Sequence, residues 1–260
     1  MKKSKALLLG AGILSASFLM VACSSAQSNT DKTYSYVFAS NPDTLDYITS
    51  TRGSTSSITT NLIDGLLEND KYGNLVPSMA QSWKVSKDGL TYTYKIRQGA
   101  KWYTSEGEEY AEVTAHDFVT GLKYAADKKA ENLYLVRDSI KGLADYVEGK
   151  TSDFETVGVK AVDDYTLQYT LNKPESYWNS KTTGGILSPV NEAFLKSKGD
   201  DFGSVTPSSI LSNGPYLFKS FTSKSLIEFE KNPNYWDKDN VKIEKVKLSF
   251  YDRSEERRVG

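Results

Sequence analysis

Two spacings of apolar residues alternate along this chain. In the first, apolar and polar side chains take turns. Leu90, Tyr92, Tyr94 and Ile96 alternate with Thr91, Thr93, Lys95 and Arg97, and Tyr165, Leu167, Tyr169 and Leu171 repeat the pattern after Asp163-Asp164. A period of two puts one set of side chains on one face, so both segments are expected to be half-buried strands. TYSYVFAS (33–40) reads as a strand ending at the turn Asn41-Pro42-Asp43, and VKIEKVKLSFY places Val246, Leu248 and Phe250 on one face. GPYLFKSF and SLIEFEKNP are expected to form a hairpin around Thr222-Ser223-Lys224. In the second spacing, Ile58, Leu62 and Leu66 lie four apart behind a run of hydroxyl residues suited to an N-cap, which predicts a helix within STSSITTNLIDGLLEND. Further helices are expected over about 114–127, opened by a capping-box-like pair of Thr114 and Asp117, and over 138–148, ending at Gly149. A short helix is capped by Asn191 and stopped by Gly199. Strands and helices mix without a regular strand–helix–strand rhythm or an internal repeat, so the fold class is α/β in the mixed, α+β sense.

The N-terminus follows another pattern. Lys2, Lys3 and Lys5 precede an apolar run over 6–22, and Cys23, the sole cysteine, follows it. This is the layout of an export signal. The alternative, a membrane-spanning anchor, is disfavoured because the run is short and broken by Gly10, Gly12, Ser15 and Ser17. Met20-Val21-Ala22-Cys23 resembles a bacterial lipobox, departing from it in having Met where Leu is usual. A lone cysteine forms no internal disulfide, and a diacylglyceryl group on Cys23 would give it a use. The expectation is a signal peptide over 1–22 and a lipidated linker over 23–32.

Charge and composition narrow the function. The net charge of −1 becomes −5 without the three N-terminal lysines (+3) and the last eight residues (+1), and no basic cluster stands out, which argues against a nucleic-acid partner. One histidine and one cysteine leave little for a metal site or a histidine triad, and no cofactor is expected. His116 sits in the first turn of a predicted helix, a surface position. No nucleophile-elbow or phosphate-loop motif occurs. Glu106, Glu108, Glu109 and Glu112 could supply a glycosidase pair, but nothing apolar around them would raise a carboxyl pKa. A binding protein is favoured over an enzyme. The 17 tyrosines suit both strands and a wet binding cleft.

Three motifs in order, NPDTLDYITSTRGSTSSITTNLIDGLLENDKYGNLVPSMAQSWKVSKDGLTYTYKIRQGAKW, VTAHDFVTGLKYA and NGPYLFKSF…IEFEKNPNYWD, closely resemble the oligopeptide-binding lipoproteins of ABC importers, family 5 of the extracellular solute-binding proteins, in particular the streptococcal Ami/Ali type. Taken alone, these motifs set turns and core, with Trp83, Trp102 and Trp236 among the core residues. The resemblance implies a periplasmic-binding-protein-like fold of type II, of which this chain holds the first of two lobes. It implies a main domain at 33–65 and 172–252, an inserted domain at 66–171, and a second lobe beyond residue 252 that is missing here. It further implies that an extended peptide pairs its backbone with both lobes. Arg52, Gly53, Ser54 and Thr55 resemble the segment that takes part from this lobe, Tyr134 the aromatic that leans over the peptide, and Asn213 and Gly214 the return of the chain beneath the cleft. Read from the residues alone, Gly53 is a turn glycine and Tyr134 a core residue.

The final RSEERRVG matches the in-frame translation of a common sequencing adapter, and 253–260 are expected to be an artefact. The implied function is capture of extracellular oligopeptides for a membrane ABC permease, with the protein lipid-anchored at Cys23 on the outer face of the cell membrane. A surface adhesin or peptide-signal sensor is the alternative, and a secreted glycoside hydrolase a weaker one.

Overall fold

The computed structural model describes residues 32–38 and 40–250, so the expected export signal, Cys23 and the segment 253–260 lie outside the described residues. Two four-stranded sheets carry the fold. The first contains β1 (Thr33–Phe38), β10 (Tyr216–Thr222), β11 (Leu226–Lys231) and β12 (Lys245–Phe250), ordered β1-β12-β11-β10. β1 runs parallel to β12, with Tyr36 opposite Leu248, and the other pairs are antiparallel. The second contains β4 (Ala80–Val85), β5 (Thr91–Ile96), β8 (Val159–Asp163) and β9 (Thr166–Thr170), antiparallel throughout in the order β4-β5-β9-β8. Two small hairpins, β2 (Leu67–Asn69) with β3 (Leu75–Pro77) and β6 (Lys101–Tyr103) with β7 (Glu109–Glu112), complete the sheets. The helices are α1 (Gly53–Thr59), α2 (Ala115–Asp127), α3 (Leu143–Val147), α4 (Trp178–Lys181) and α5 (Glu192–Lys198).

The alternating segments become strands because each has one face to bury. Tyr92, Tyr94 and Ile96 of β5 and Leu167 and Tyr169 of β9 are all buried, and Tyr94 meets Tyr169 edge-on with ring centroids 6.2 Å apart. Trp178, fully buried on α4, packs at a tilt against Tyr169, with ring centroids 5.3 Å apart, and joins both elements to the core. Of the expected core tryptophans, Trp102 is buried, whereas Trp83 and Trp236 pack against the core only in part. Buried side chains from both sheets form one continuous cluster.

α2 begins as its sequence predicts: the Asp117 carboxylate accepts the Thr114 N–H at 2.9 Å, satisfying a donor the first turn leaves free. The same oxygen accepts the indole N–H of Trp102 at 3.0 Å. Asn191 likewise accepts the Phe194 N–H at 3.0 Å and starts α5.

Two helices are shorter than their spacing predicts. α1 stops at Thr59, although Ile58, Leu62 and Leu66 are all fully buried. Beyond it the Leu62 carbonyl accepts the N–H groups of Asn213 (3.1 Å) and Gly214 (2.8 Å) and the Ser212 hydroxyl (2.7 Å), so tertiary donors replace the helical ones. The segment expected to be helical over 138–148 contains α3 alone, because Gly142 sits at φ +71° and breaks the run. A Cβ there would lie 2.6 Å from the Thr156 carbonyl, so glycine is required twice over.

Candidate functional site

The segment 50–55 is held from below by its own polar side chains. Asp46 is buried, and its carboxylate accepts the N–H groups of Ile48 (3.0 Å) and Thr49 (3.1 Å) and the hydroxyls of Thr49 (2.6 Å) and Tyr124 (2.9 Å). Four donors on one carboxylate fix the loop leading into α1. Thr55, 1% exposed, donates its hydroxyl to the Thr44 carbonyl at 2.8 Å and accepts that of Ser50 at 3.0 Å. Its side chain therefore points into the fold and its functional groups are used there.

Arg52 and Gly53 face outward. Arg52 caps α1 in an extended conformation without a side-chain cap, and its guanidinium pairs with Asp43 at 3.1 Å, both groups being largely exposed. Such a pair contributes little to stability but limits where the Arg52 side chain points. Gly53 is the first residue of α1 with no positive φ, and a Cβ built on it meets nothing within 4 Å. It is not the turn glycine that its sequence alone suggests. Ser54 is half-buried beside it.

Tyr134 lies on a 3-10 turn, Glu131–Leu135, and is 73% exposed, so it is not a core residue. The structure brings this turn to the Arg52 segment: the Thr51 hydroxyl donates to the Glu131 carboxylate at 2.8 Å across 80 residues of sequence. Neither Thr51 nor Glu131 stood out in the sequence, since a contact between distant polar residues leaves no periodic signal.

Asn213 and Gly214 are buried, away from solvent. Asn213 is 2% exposed; its Oδ1 accepts the Asp64 N–H at 2.9 Å and its Nδ2 donates to the Asp64 carbonyl at 3.2 Å. A Cβ on Gly214 would lie 2.8 Å from the Leu62 carbonyl carbon and oxygen, so the two chains touch through backbone. Asp64 extends this floor. Its carboxylate accepts Tyr235 O–H at 2.8 Å and Trp236 Nε1–H at 3.0 Å, and burial raises its pKa above the usual carboxylate range despite those bonds. The Arg97 guanidinium lies over the Trp236 ring at 3.6 Å. An acidic residue inside the apolar run LIDGLL was the available sign of this network. The structure thus brings the exposed Arg52–Ser54 segment and the turn carrying Tyr134 together through Thr51 and Glu131, turns Thr55 inward, and places Asn213 and Gly214 in the interior against residues 62–64.

The acidic cluster has a different character. Glu106 pairs with Lys219 at 3.2 Å and Glu109 with Lys101 at 2.7 Å. Glu112 accepts the Gly99 N–H at 2.8 Å, which lowers its pKa, the opposite of what a general acid needs. His116 is an exposed first-turn residue with Nε2 3.4 Å from Asp164.

The chain is 64% identical over 255 residues to the oligopeptide-binding protein AliA of Streptococcus pneumoniae, a match covering 97% of this chain and 39% of that protein. It is 63% identical over 261 residues to the oligopeptide-binding protein SarA of Streptococcus gordonii, with 97% and 39% covered. Among solved structures, peptide-bound OppA of Listeria monocytogenes superposes with a TM-score of 0.78 at 32% identity, over 85% of this chain and 43% of that one. The chain therefore spans about two fifths of the length of these relatives. The mixed α/β fold is that of part of an OppA-type binding protein. Residues 74–259 match the model of the bacterial extracellular solute-binding proteins, family 5 middle, and the chain belongs to that family.

Proposed function

We propose that the protein captures extracellular oligopeptides and delivers them to a membrane ABC permease, tethered by a lipid on Cys23, and that this chain supplies one lobe of the peptide cleft. The main support is the 64% identity, held over 97% of this chain, to a protein named for oligopeptide binding. On this reading Arg52, Gly53, Ser54 and Tyr134 face the peptide, while Thr55, Asn213 and Gly214 hold them in place from beneath. The first sheet belongs to a main domain of 33–65 and 172–252, and the second to an inserted domain of 66–171.

The open space above Gly53 supports recognition through main chain, because a glycine lets a second backbone approach closely. Peptides of unrelated sequence share their backbone, so a site of this kind reads little of the side chains. The test is a chimera in which this chain replaces the matching part of full-length AliA, titrated calorimetrically with a mixed oligopeptide pool. Binding comparable to that of AliA is expected. A folded chimera that takes up no peptide would overturn the proposal, and binding to host surfaces with no peptide uptake would favour an adhesin.

A further inference from the structure

The sequence contains one Asn-Gly pair, Asn213-Gly214, and it lies in the buried floor rather than on the surface. We infer that Asn213 is a fold-gated deamidation site: the native structure blocks the reaction, and once it occurs in an unfolded chain it prevents return to the native floor.

The reaction needs only water. The Gly214 amide nitrogen loses its proton and attacks Asn213 Cγ. A carbon–nitrogen bond forms, the Cγ–Nδ2 bond breaks, and ammonia leaves with the proton, giving a five-membered succinimide. Water then opens the ring at either carbonyl to aspartate or to the β-linked isoaspartate. Glycine on the C-terminal side favours attack because it has no side chain to obstruct the nitrogen and its backbone reaches the required torsions readily.

Three features of the fold oppose each step. The Gly214 N–H donates to the Leu62 carbonyl at 2.8 Å, so its proton is held and its nitrogen is aimed away from Cγ. The Asn213 amide is clamped at both ends by the Asp64 main chain, at 2.9 and 3.2 Å, so Cγ cannot rotate toward the nitrogen. The residue is 2% exposed, which keeps out the water or hydroxide that removes the proton and opens the ring. Reaction therefore requires opening of this part of the structure.

The same contacts reject the product. Aspartate has no donor for the Asp64 carbonyl and would set two oxygens against each other at the 3.2 Å contact. It would also place a charge in a dry site next to a carboxyl that burial already disfavours ionising. Isoaspartate inserts an extra backbone methylene where Gly214 has no room even for a Cβ, 2.8 Å from Leu62.

The test incubates the protein in mildly alkaline buffer, with and without denaturing urea, and follows by peptide mass spectrometry the gain that accompanies replacement of –NH2 by –OH at residue 213. Modification is expected to be at least about thirtyfold slower in the native sample, because it proceeds only through the opened fraction. After removal of urea, unmodified chains should refold and modified ones should remain protease-sensitive. Equal rates in the two samples would overturn the gating. Asn213→Asp prepared directly provides an independent check on the product: a variant that folds and melts like the parent would overturn the block.

Discussion

Asp117 should make the protein more stable in mild acid than at neutral pH, and the size of the effect follows from its surroundings. Burial pushes its pKa up to about 6, with the bonds from the Thr114 N–H and Trp102 Nε1–H and the proximity of His116 opposing only in part. In the unfolded chain the value is the usual 3.8. The folded state thus holds the proton more tightly, and stability falls as pH rises from about 4 through about 6. Above that window the ionised carboxylate costs about 3 kcal/mol relative to the protonated form. Between about pH 5 and about pH 7.5 the loss attributable to this group is about 1–2 kcal/mol.

Asn at this position can accept both N–H groups through one amide oxygen and carries no charge. Asp117→Asn should therefore raise stability at about pH 7.5 by about 1–3 kcal/mol, and its pH dependence between the two conditions should be shallower by about 1–2 kcal/mol. Asp64 also titrates upward through burial, but it is common to both proteins and drops out of the difference. Asp117→Ala should destabilise by about 2–6 kcal/mol, since two buried donors lose their acceptor at about 1–3 kcal/mol each. Urea melts of the three proteins at both pH values provide the assay. Parallel pH dependence in parent and Asp117→Asn would refute the argument that burial holds a proton on this carboxyl.

The remaining predictions concern the proposed function. Cys23→Ser should move the protein from the membrane to the soluble fraction of cells, because stable anchoring takes two acyl chains and the variant would carry none; continued membrane retention, read by fractionation, would count against lipidation. Gly53→Val in the AliA chimera should leave the melting temperature nearly unchanged, as there is open space for the side chain, while weakening peptides of unrelated sequence alike in calorimetry. Tyr134→Ala should alter stability by less than about 0.5 kcal/mol, given its exposure, yet lower peptide affinity; an unchanged affinity would remove Tyr134 from the site. This chain alone should bind peptide about two to six decades more weakly than the chimera, since three or four neutral hydrogen bonds and one to a charged group, about 3–9 kcal/mol in all, would come from the other lobe.

How much of this was legible in the sequence depended on the range of the interaction. The strands around Tyr92, Tyr169 and Val246 were readable because a period of two survives wherever one face is buried. The start of α2 was readable because its cap is local, Thr114 to Asp117. The length of α1 was not, because Ile58, Leu62 and Leu66 meet a helical spacing that irregular chain can also satisfy. What ends the helix is a set of donors at 212–214, 150 residues away in the case of Ser212. The orientation of Thr55 was hidden for a similar reason, its partner being a carbonyl 11 residues back on an irregular loop. Tyr134 shows the opposite failure: a large aromatic is usually buried, yet this one projects from a turn whose position is set by Thr51.

A site that reads backbone must present its groups rigidly, because each neutral hydrogen bond adds only about 1 kcal/mol and ordering a loop on binding would consume several of them. On the proposed reading, the contacts under the segment leading into α1 would meet that requirement with few residues. Asn213 fixes its loop through main-chain groups, and Asp46 does so through two main-chain N–H groups together with the hydroxyls of Thr49 and Tyr124. Thr55 accepts the Ser50 hydroxyl and donates its own to the Thr44 carbonyl, tying the start of α1 to the loop before it. The cost of such a floor is borne by the buried carboxyl of Asp64, which is held in a setting that disfavours its charge, and by Asn213-Gly214, which is safe only while folded. Relaxing the contacts of Asp46 or Thr55 would loosen the segment that leads into α1, so substitutions there should act on peptide affinity through geometry, whereas those at Gly53 or Tyr134 should act through contact. Crystal structures of the two classes in the chimera would separate them: Asp46 and Thr55 variants should displace the 51–54 backbone, and Gly53 or Tyr134 variants should leave it in place.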